Sequence, residues 1–320
     1  MTVVPRVVVF APAPILTVSI ERDTTGTEEV HVHAGGQGVW VARLLRSLGC
    51  EPVVCGPFGG ETGAVARSIL ERDGVVLAAV EVAGANAATV DEGVQEERRV
   101  IAETQPDALD RHELDDLYGV TLGAVAGAGA IVITGSIWGH VIPAETFGRL
   151  ASDVASLGVP AIADLSGDQL RAALEHSVAV LKVSDEELER DGFLTGPAEA
   201  DVLAAITALR GSGARDVVIS RAGEPVLAAM GSRCYRVTGP ALEVVEARGS
   251  GDSMTAALAA GTASGLAAEA TLRLAVAAGA VNVTRHGLAG AEGDVVRRLA
   301  DTAVTVEDLG PTDRSTREIR

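Results

Sequence analysis

Arg248-Gly249-Ser250-Gly251-Asp252-Ser253 is the stretch from which the rest of the chain can be read, because a Gly-Ser-Gly-Asp turn opening a long Ala-rich segment has a defined physical use. Backbone N–H groups at such a turn converge on one spot, and the helix macrodipole adds partial positive charge there. An anion is expected to sit on it. Asp252 stands at the same place, where a carboxylate either stabilises the helix N-terminus or takes the proton of a hydroxyl attacking phosphorus. Acid and anion site together point to phosphoryl transfer.

Upstream of the turn, apolar runs of strand length alternate with segments of helical period. Val7 to Phe10, Val53 to Cys55, Val75 to Val82, Ala130 to Thr134, Ala161 to Asp164, Val178 to Leu181 and Val217 to Ser220 read as strands buried on both faces. Gly38 to Leu48, Thr62 to Arg72, Glu113 to Ala126, Pro143 to Leu157 and Ala198 to Arg210 read as the helices between them. The alternation predicts an α/β fold, a doubly wound and mainly parallel sheet with helices on both faces. Two stretches break the rhythm, around Glu29 to His33 and Ala87 to Thr104, and are expected to form a small β flap over a site. After Val226 come short strands, Val226 to Met230, Cys234 to Val237 and Leu242 to Glu246, then two helices, Asp252 to Ser264 and Ala267 to Thr284. A single domain over residues 1–310 is expected, with lid segments at about 15–34 and 86–104, and a frayed polar tail over 311–320.

Composition narrows the function. With 320 residues and 47% hydrophobic content the chain can bury one large core. A formal charge of −18 with no basic stripe excludes a nucleic-acid partner. No apolar run approaches the roughly 20 residues of a membrane span. Met1 to Arg6 leads into a strand-like run without a signal-peptide pattern, so a cytoplasmic location away from membranes is expected. The three cysteines, Cys50, Cys55 and Cys234, are spaced for neither a zinc site nor a disulfide framework and read as small buried apolar residues. Lys182 is the only lysine, so a ligand phosphate must be held by arginine, backbone N–H groups, a metal ion or that one side chain.

A second glycine cluster, Ala34-Gly35-Gly36-Gln37-Gly38-Val39-Trp40-Val41-Ala42-Arg43, precedes the first long helix and lets a ligand approach the backbone closely. It fits neither a Walker A loop nor a dinucleotide fingerprint. Taken singly, either cluster is equally an ordinary tight turn.

Taken together and in this order, the motifs resemble those of the ribokinase-type (PfkB) carbohydrate kinases, closest to the 1-phosphofructokinase and tagatose-6-phosphate kinase branch. Gly35 to Arg43 match an early Gly-Gly-Lys-Gly-x-Asn-x-Ala-Arg; Leu48-Gly49, Gly56 and Phe58 to Gly63 continue the pattern. Thr134-Gly135-Ser136, Asp164 to Gly167 and Leu181 to Leu188 follow, and Gly249 to Ser253 match the late Gly-Ala-Gly-Asp-Ser. Ala275 to Arg285 fit the closing helix. The resemblance covers nearly the whole chain and implies a ribokinase-like fold with a lid.

The resemblance also implies roles, residue by residue. Asp252 would be the base, with the N–H groups of Gly249, Ser250 and Gly251 as an anion hole for the transferring phosphoryl group. Lys182 and Ser184 would lie near the phosphates of ATP, Glu187 would help through water to hold Mg²⁺ with no direct protein ligand to the metal, and Ser220, Gly223 and Asn282 would line the nucleotide. Each has a structural rival: Lys182 as a strand end, Glu187 as an exposed helix residue, Ser220 as a strand terminus.

Departures from the pattern gather on the acceptor side. Where the family reads Asn-Pro-Ala-x-Asp, this chain reads Ala11-Pro12-Ala13-Pro14-Ile15, and Ile15 cannot accept a hydrogen bond. The family lysine and asparagine of the first glycine loop are Gln37 and Trp40. A substrate pocket built on Gly35, Gly36, Gln37, Trp40 and Ile15 is expected to take a less hydroxylated, flatter or more apolar acceptor, or a sugar stacked on the indole; Trp40 read blandly is core packing. His31 and His33 alternate on one flap strand and either touch ligand or sit on the flap. Arg98 and Arg99 are either phosphate ligands or solvated partners of the acidic run Asp91 to Glu97.

Two functions are therefore in competition. One is an ATP- and Mg²⁺-dependent kinase acting on a hydroxyl of a sugar, sugar phosphate or related small molecule. The other is a non-catalytic nucleotide-binding or regulatory protein with a degenerate acceptor site. A homodimer joined through the flap strands and a simple monomeric lid both remain open.

Overall fold

The computed structural model describes residues 4–22, 27–94, 97–245, 248–284 and 292–312. In chain order the elements are β1 (Arg6–Phe10), β2 (Ile15–Arg22), β3 (Glu28–Gly35), α1 (Gln37–Ser47), β4 (Glu51–Gly59), α2 (Gly60–Arg72), β5 (Val76–Val82), β6 (Ala87–Val94) and β7 (Glu97–Thr104). There follow α3 (Arg111–Val125), β8 (Ala130–Thr134), α4 (Ala144–Ser156), β9 (Ala161–Asp164), α5 (Gly167–Leu174), β10 (Val178–Ser184), α6 (Asp185–Arg190), α7 (Glu199–Gly211) and β11 (Ala214–Arg221). The chain closes with β12 (Glu224–Met230), β13 (Arg233–Thr238), α8 (Ser250–Ala263), α9 (Ala268–Val283), α10 (Gly293–Thr302) and β14 (Thr305–Pro311).

A ten-stranded sheet runs in the order β14-β13-β12-β11-β10-β9-β8-β1-β4-β5. Strands β5 through β11 in this row pair in parallel, and only β12, β13 and β14 join antiparallel at one edge. The doubly wound, mainly parallel expectation is borne out. Its cause is burial on both faces: β1, β8 and β9 are apolar at nearly every position, so each side of the sheet must be covered. One core layer packs α1, α2, α8, α9 and α10 against the sheet, and the other packs α3 to α7. α8 is apolar almost all round its surface, and its small side chains let it lie deep in the first layer.

Strand order reverses on either side of β1, whose neighbours are β4 and β8. In parallel α/β sheets the crevice at such a reversal, beyond the carboxyl ends of the strands, is where ligands bind. Above it lies a second sheet of four strands, β3-β2-β6-β7. Asn86 fastens the base of this lid: its side chain donates to the carbonyls of Pro14 and Pro57 and accepts from the Gly59 N–H.

Three sequence expectations need correction. Leu242 to Val245 form no strand; all four are exposed, and the edge of β13 they would have needed is taken by β14. Glu246 lies outside the described residues. The tail does not begin at Pro311, which ends β14, while residues 313–320 are outside the described part. β2 has no continuous apolar run of its own in the sequence, since Ile15 and Thr17 line the cavity and its far end, Glu21-Arg22, is charged. Cys50 and Cys55 are buried and Cys234 half-buried, none of the three in a disulfide, and burial pushes the Cys55 thiol up to about 11.

Candidate active site

A cavity of about 400 Å³ opens where the carboxyl ends of β1, β8 and β9 meet the first turn of α8 and the underside of the lid. Gly249 starts that turn with φ 78°, a left-handed conformation that a residue with a Cβ adopts only at a cost. No side chain caps α8, and the first bond along the helix runs from the Ser253 N–H to the Gly249 carbonyl. The N–H groups of Gly249, Ser250 and Gly251 therefore have no partner within the helix and are available to an anion.

Asp252, in the same turn, lines the cavity. Burial, followed by the nearby charge of Asp164, pushes its carboxyl up to about 7, against the opposing pull of the Lys182 ammonium and a hydrogen bond from Gln37. A carboxylate with that affinity for a proton is matched to general-base work near neutrality. Gln37 joins two parts of the site, since its Oε1 accepts from the Gly135 N–H at 3.1 Å while its side chain also bonds Asp252.

Behind Asp252 lies a buried charged cluster. Lys182 at the end of β10 is 5% exposed and stands 3.5 Å from Asp164, itself 4% exposed. The Thr255 hydroxyl of α8 donates to the other oxygen of Asp164 at 2.6 Å. Lys182 keeps its proton against the cost of burial because Asp164, Glu187 and Asp252 surround it. Its ammonium lies 2.5 Å from the point a Cβ on Gly251 would occupy, so the glycine there makes room for the lysine.

The cavity gathers Ile15, Gly36, Gln37, Trp40, Glu187, Gly249 and Asp252 from the expected set. Trp40 has both the roles weighed for it: it is 8% exposed and also lines the cavity, with the Arg43 guanidinium 4.7 Å from its ring and His33 6.1 Å away. Gly35 is buried behind it, a Cβ there falling 3.2 Å from the indole. Ser184 caps α6 and exchanges hydrogen bonds with Glu187, whose Oε2 accepts from both the N–H and the hydroxyl of Ser184.

Other expected residues stand elsewhere. Ser220 lies next to the end of β11 and Gly223 in the exposed turn after it, neither on this cavity. Asn282 is buried behind the turn and holds it by donating to the Arg248 carbonyl at 2.7 Å. Arg99 is exposed and paired with Glu92 at 2.8 Å, away from the cavity, and the Arg98 side chain is outside the described residues. His31 is exposed beside Glu29. Asp91, Thr17 and Thr89 of the lid and Trp138 also line the cavity, although no motif marks them. In sequence Asp91 opens an acidic run; only the register that sets it beside Ser19 turns it inward.

Three comparisons bear on this geometry. Residues 11–292 match the model of the pfkB family carbohydrate kinases. The ATP-dependent 6-phosphofructokinase isozyme 2 of Mycobacterium tuberculosis is 29% identical over 96% of this chain and 92% of its own length, and the 1-phosphofructokinase of Vibrio cholerae is 27% identical over 94% and 96%. Among solved structures, phosphofructokinase-2 from Escherichia coli in complex with fructose-6-phosphate superposes with a TM-score of 0.80 at 25% identity, covering 93% of this chain and 99% of that one.

Proposed function

The chain belongs to the pfkB family of carbohydrate kinases, and from that premise we propose that Asp252 is the base that drives ATP-dependent phosphoryl transfer to a hydroxyl of a sugar or sugar-like acceptor. The observation that carries the assignment is Asp252 itself: a carboxylate on the cavity wall, pushed up to about 7, beside three backbone N–H groups free of helical partners. The acceptor oxygen attacks the terminal phosphorus of ATP as its proton passes to Asp252, and the bond to the ADP oxygen breaks. The N–H groups of Gly249, Ser250 and Gly251 face the charge on the transferring group, and the α8 dipole reinforces them. Relatives named as kinases over most of the chain give no support to a non-catalytic reading.

ATP is the phosphoryl donor that the family uses, typically with Mg²⁺. The site suits such an ion, since Glu187 offers a hard carboxylate oxygen. Both bonds that Glu187 accepts from Ser184 fall on Oε2, which leaves Oε1 for a metal-bound water. Among the described residues no group of three or more His, Cys, Asp or Glu side chains can hold a metal alone, so ATP and water would supply the remaining ligands. When bound, the ion neutralises charge on the phosphates. Lys182 holds Asp164 in place through their ion pair, and Ser220 and Gly223 would border the nucleotide.

Asp252→Asn is the deciding experiment. ADP release with a turned-over acceptor should fall by about 10²–10⁴-fold while ATP affinity measured by calorimetry stays within threefold. Equal turnover by both proteins would remove Asp252 from the mechanism.

We also propose that the protein is a homodimer joined through the lid. The lid face turned away from the cavity carries Val32, Val18 and Val90 in register across β3, β2 and β6 and Val30 opposite Ile20, with Val30 at 64% and Val32 at 45% exposure. An apolar strip of this kind on a projecting sheet favours association. Val30→Asp with Val32→Asp should convert a dimer to a monomer in sedimentation; an unchanged mass would refute the interface.

A further inference from the structure

One wall of the cavity is a loop gripped by a buried side-chain amide. After β8 the chain runs Gly135-Ser136-Ile137-Trp138, and all four residues line the cavity. Gln169, in the first turn of α5 and 9% exposed, holds both backbone groups of one loop residue: its Oε1 accepts from the Ser136 N–H at 3.1 Å and its Nε2 donates to the Ser136 carbonyl at 2.8 Å. The Ser136 hydroxyl in turn accepts from the Trp138 N–H at 3.1 Å and donates to the Trp138 carbonyl at 3.2 Å. A Cβ on Gly135 would fall 2.6 Å from Oε1 of Gln169, so the glycine there lets the amide reach the backbone. Gly135 itself donates to Gln37, whose side chain also bonds Asp252. Amide, loop and base are thus joined in one bonded series.

The loop sends two neighbouring side chains to different places. Trp138 is 8% exposed, packed in the second core layer and also on the cavity wall. Ile137 is 86% exposed on the same wall, so water covers apolar atoms where a bound molecule would lie. Burying a glutamine costs rotamer freedom and solvation unless both ends of its amide are bonded, and here both are. Its bonds complete no helix or strand. What they fix is the position of the loop, and with it where Trp138 stands.

We infer that Trp138 is the surface on which the acceptor is laid, and that Gln169 is the positioning residue that sets it there. The inference rests on the kinase reading above and commits to an acceptor with a flat apolar face beside its reactive hydroxyl, the carbon face of a sugar ring or the plane of a nucleoside base. An open chain offers no such face.

The experiment measures kcat/KM by ADP release for sugars, sugar phosphates and nucleosides, each sugar beside the open-chain polyol formed by its reduction. At least one ring-bearing acceptor should exceed every polyol by about tenfold, and Trp138→Ala should remove that advantage by raising its KM while the KM for ATP stays within twofold. Gln169→Leu keeps the bulk and loses both bonds, so it should raise the acceptor KM in the same way. Because it acts through the loop, joining it to Trp138→Ala should add little to the cost of Trp138→Ala alone. The chain has two tryptophans, Trp40 and Trp138, so in Trp40→Phe the emission belongs to Trp138. The best acceptor should change that emission saturably, and Gln169→Leu in the same background should move it to the red. A polyol used as well as any ring, an unaltered acceptor KM in folded Trp138→Ala, or an emission blind to the acceptor overturns the inference and leaves the kinase reading intact. If Trp138→Ala does not fold, the emission decides. Additive costs in the double variant, or an equal loss of affinity for ATP, overturn the role of Gln169 by making it a structural residue. Turnover of no acceptor by a protein that binds ATP removes the kinase reading, and the inference with it.

Discussion

Asp252 sits in a conflict of forces that sets how activity depends on pH. Burial and the neighbouring Asp164 disfavour its charge, whereas Lys182 and the Gln37 hydrogen bond favour it, and the balance lies at about 7. Because the base must be ionised to work, kcat/KM should fall with unit slope as pH drops through about 7. Gln37→Leu removes a bond made to the charged form and should move this limb to higher pH, while Gln37→Lys adds a cation and should move it lower; pH profiles of the three proteins check both signs. Residues of this kind were legible in the sequence, because the Gly-Ser-Gly-Asp turn needs only its own backbone to make an anion site. Asp91 was not, since its side of the strand is fixed by pairing with Ser19 and by the irregularity between Val90 and Asp91.

At the scale of elements, α8 and β10 meet through the contact of Gly251 with Lys182. The ammonium is the flexible end of a side chain, so a methyl group at Gly251 should displace it from Asp164 and leave the helix intact. Gly251→Ala should lower kcat by about tenfold or more through misplacement at the transferring group, while the melting temperature moves little; calorimetry beside steady-state kinetics tests it. Strands β8 and β9 were read to the residue, Ala130–Thr134 and Ala161–Asp164, because continuous apolar runs between turns leave little choice. β14 was missed for the opposite reason: Thr305–Pro311 is polar and half-exposed, and only the free edge of β13 makes it a strand.

Across the whole molecule, the site is held at a cost to stability. Folding raises the affinity of Asp252 for a proton above its value in the unfolded chain, so its contribution is present at low pH and is lost as pH rises through about 7. Asp252→Asn, which carries no charge to bury, should therefore melt higher than the natural protein at pH 8, with the difference shrinking toward pH 5. A constant difference across that range would show that Asp252 is not held protonated by the fold. The lid also departs from an ordinary sheet: Thr17, Thr89 and Asp91 face the cavity while Val30 and Val32 face outward, so neither face reads as the hydrophobic-in, polar-out pattern.

By itself the sequence determined the alternation of strand and helix, the two glycine turns and the placement of an acid at a helix mouth, because each of these depends on residues close together in the chain. Tertiary structure decided which carboxylates face one another, that Lys182 is buried against Asp164, and that Asp91, Thr17, Thr89 and two indoles line one cavity. Those contacts join residues from separate strands across a crevice. Pairing register and helix packing create them, and neither leaves a mark in local sequence.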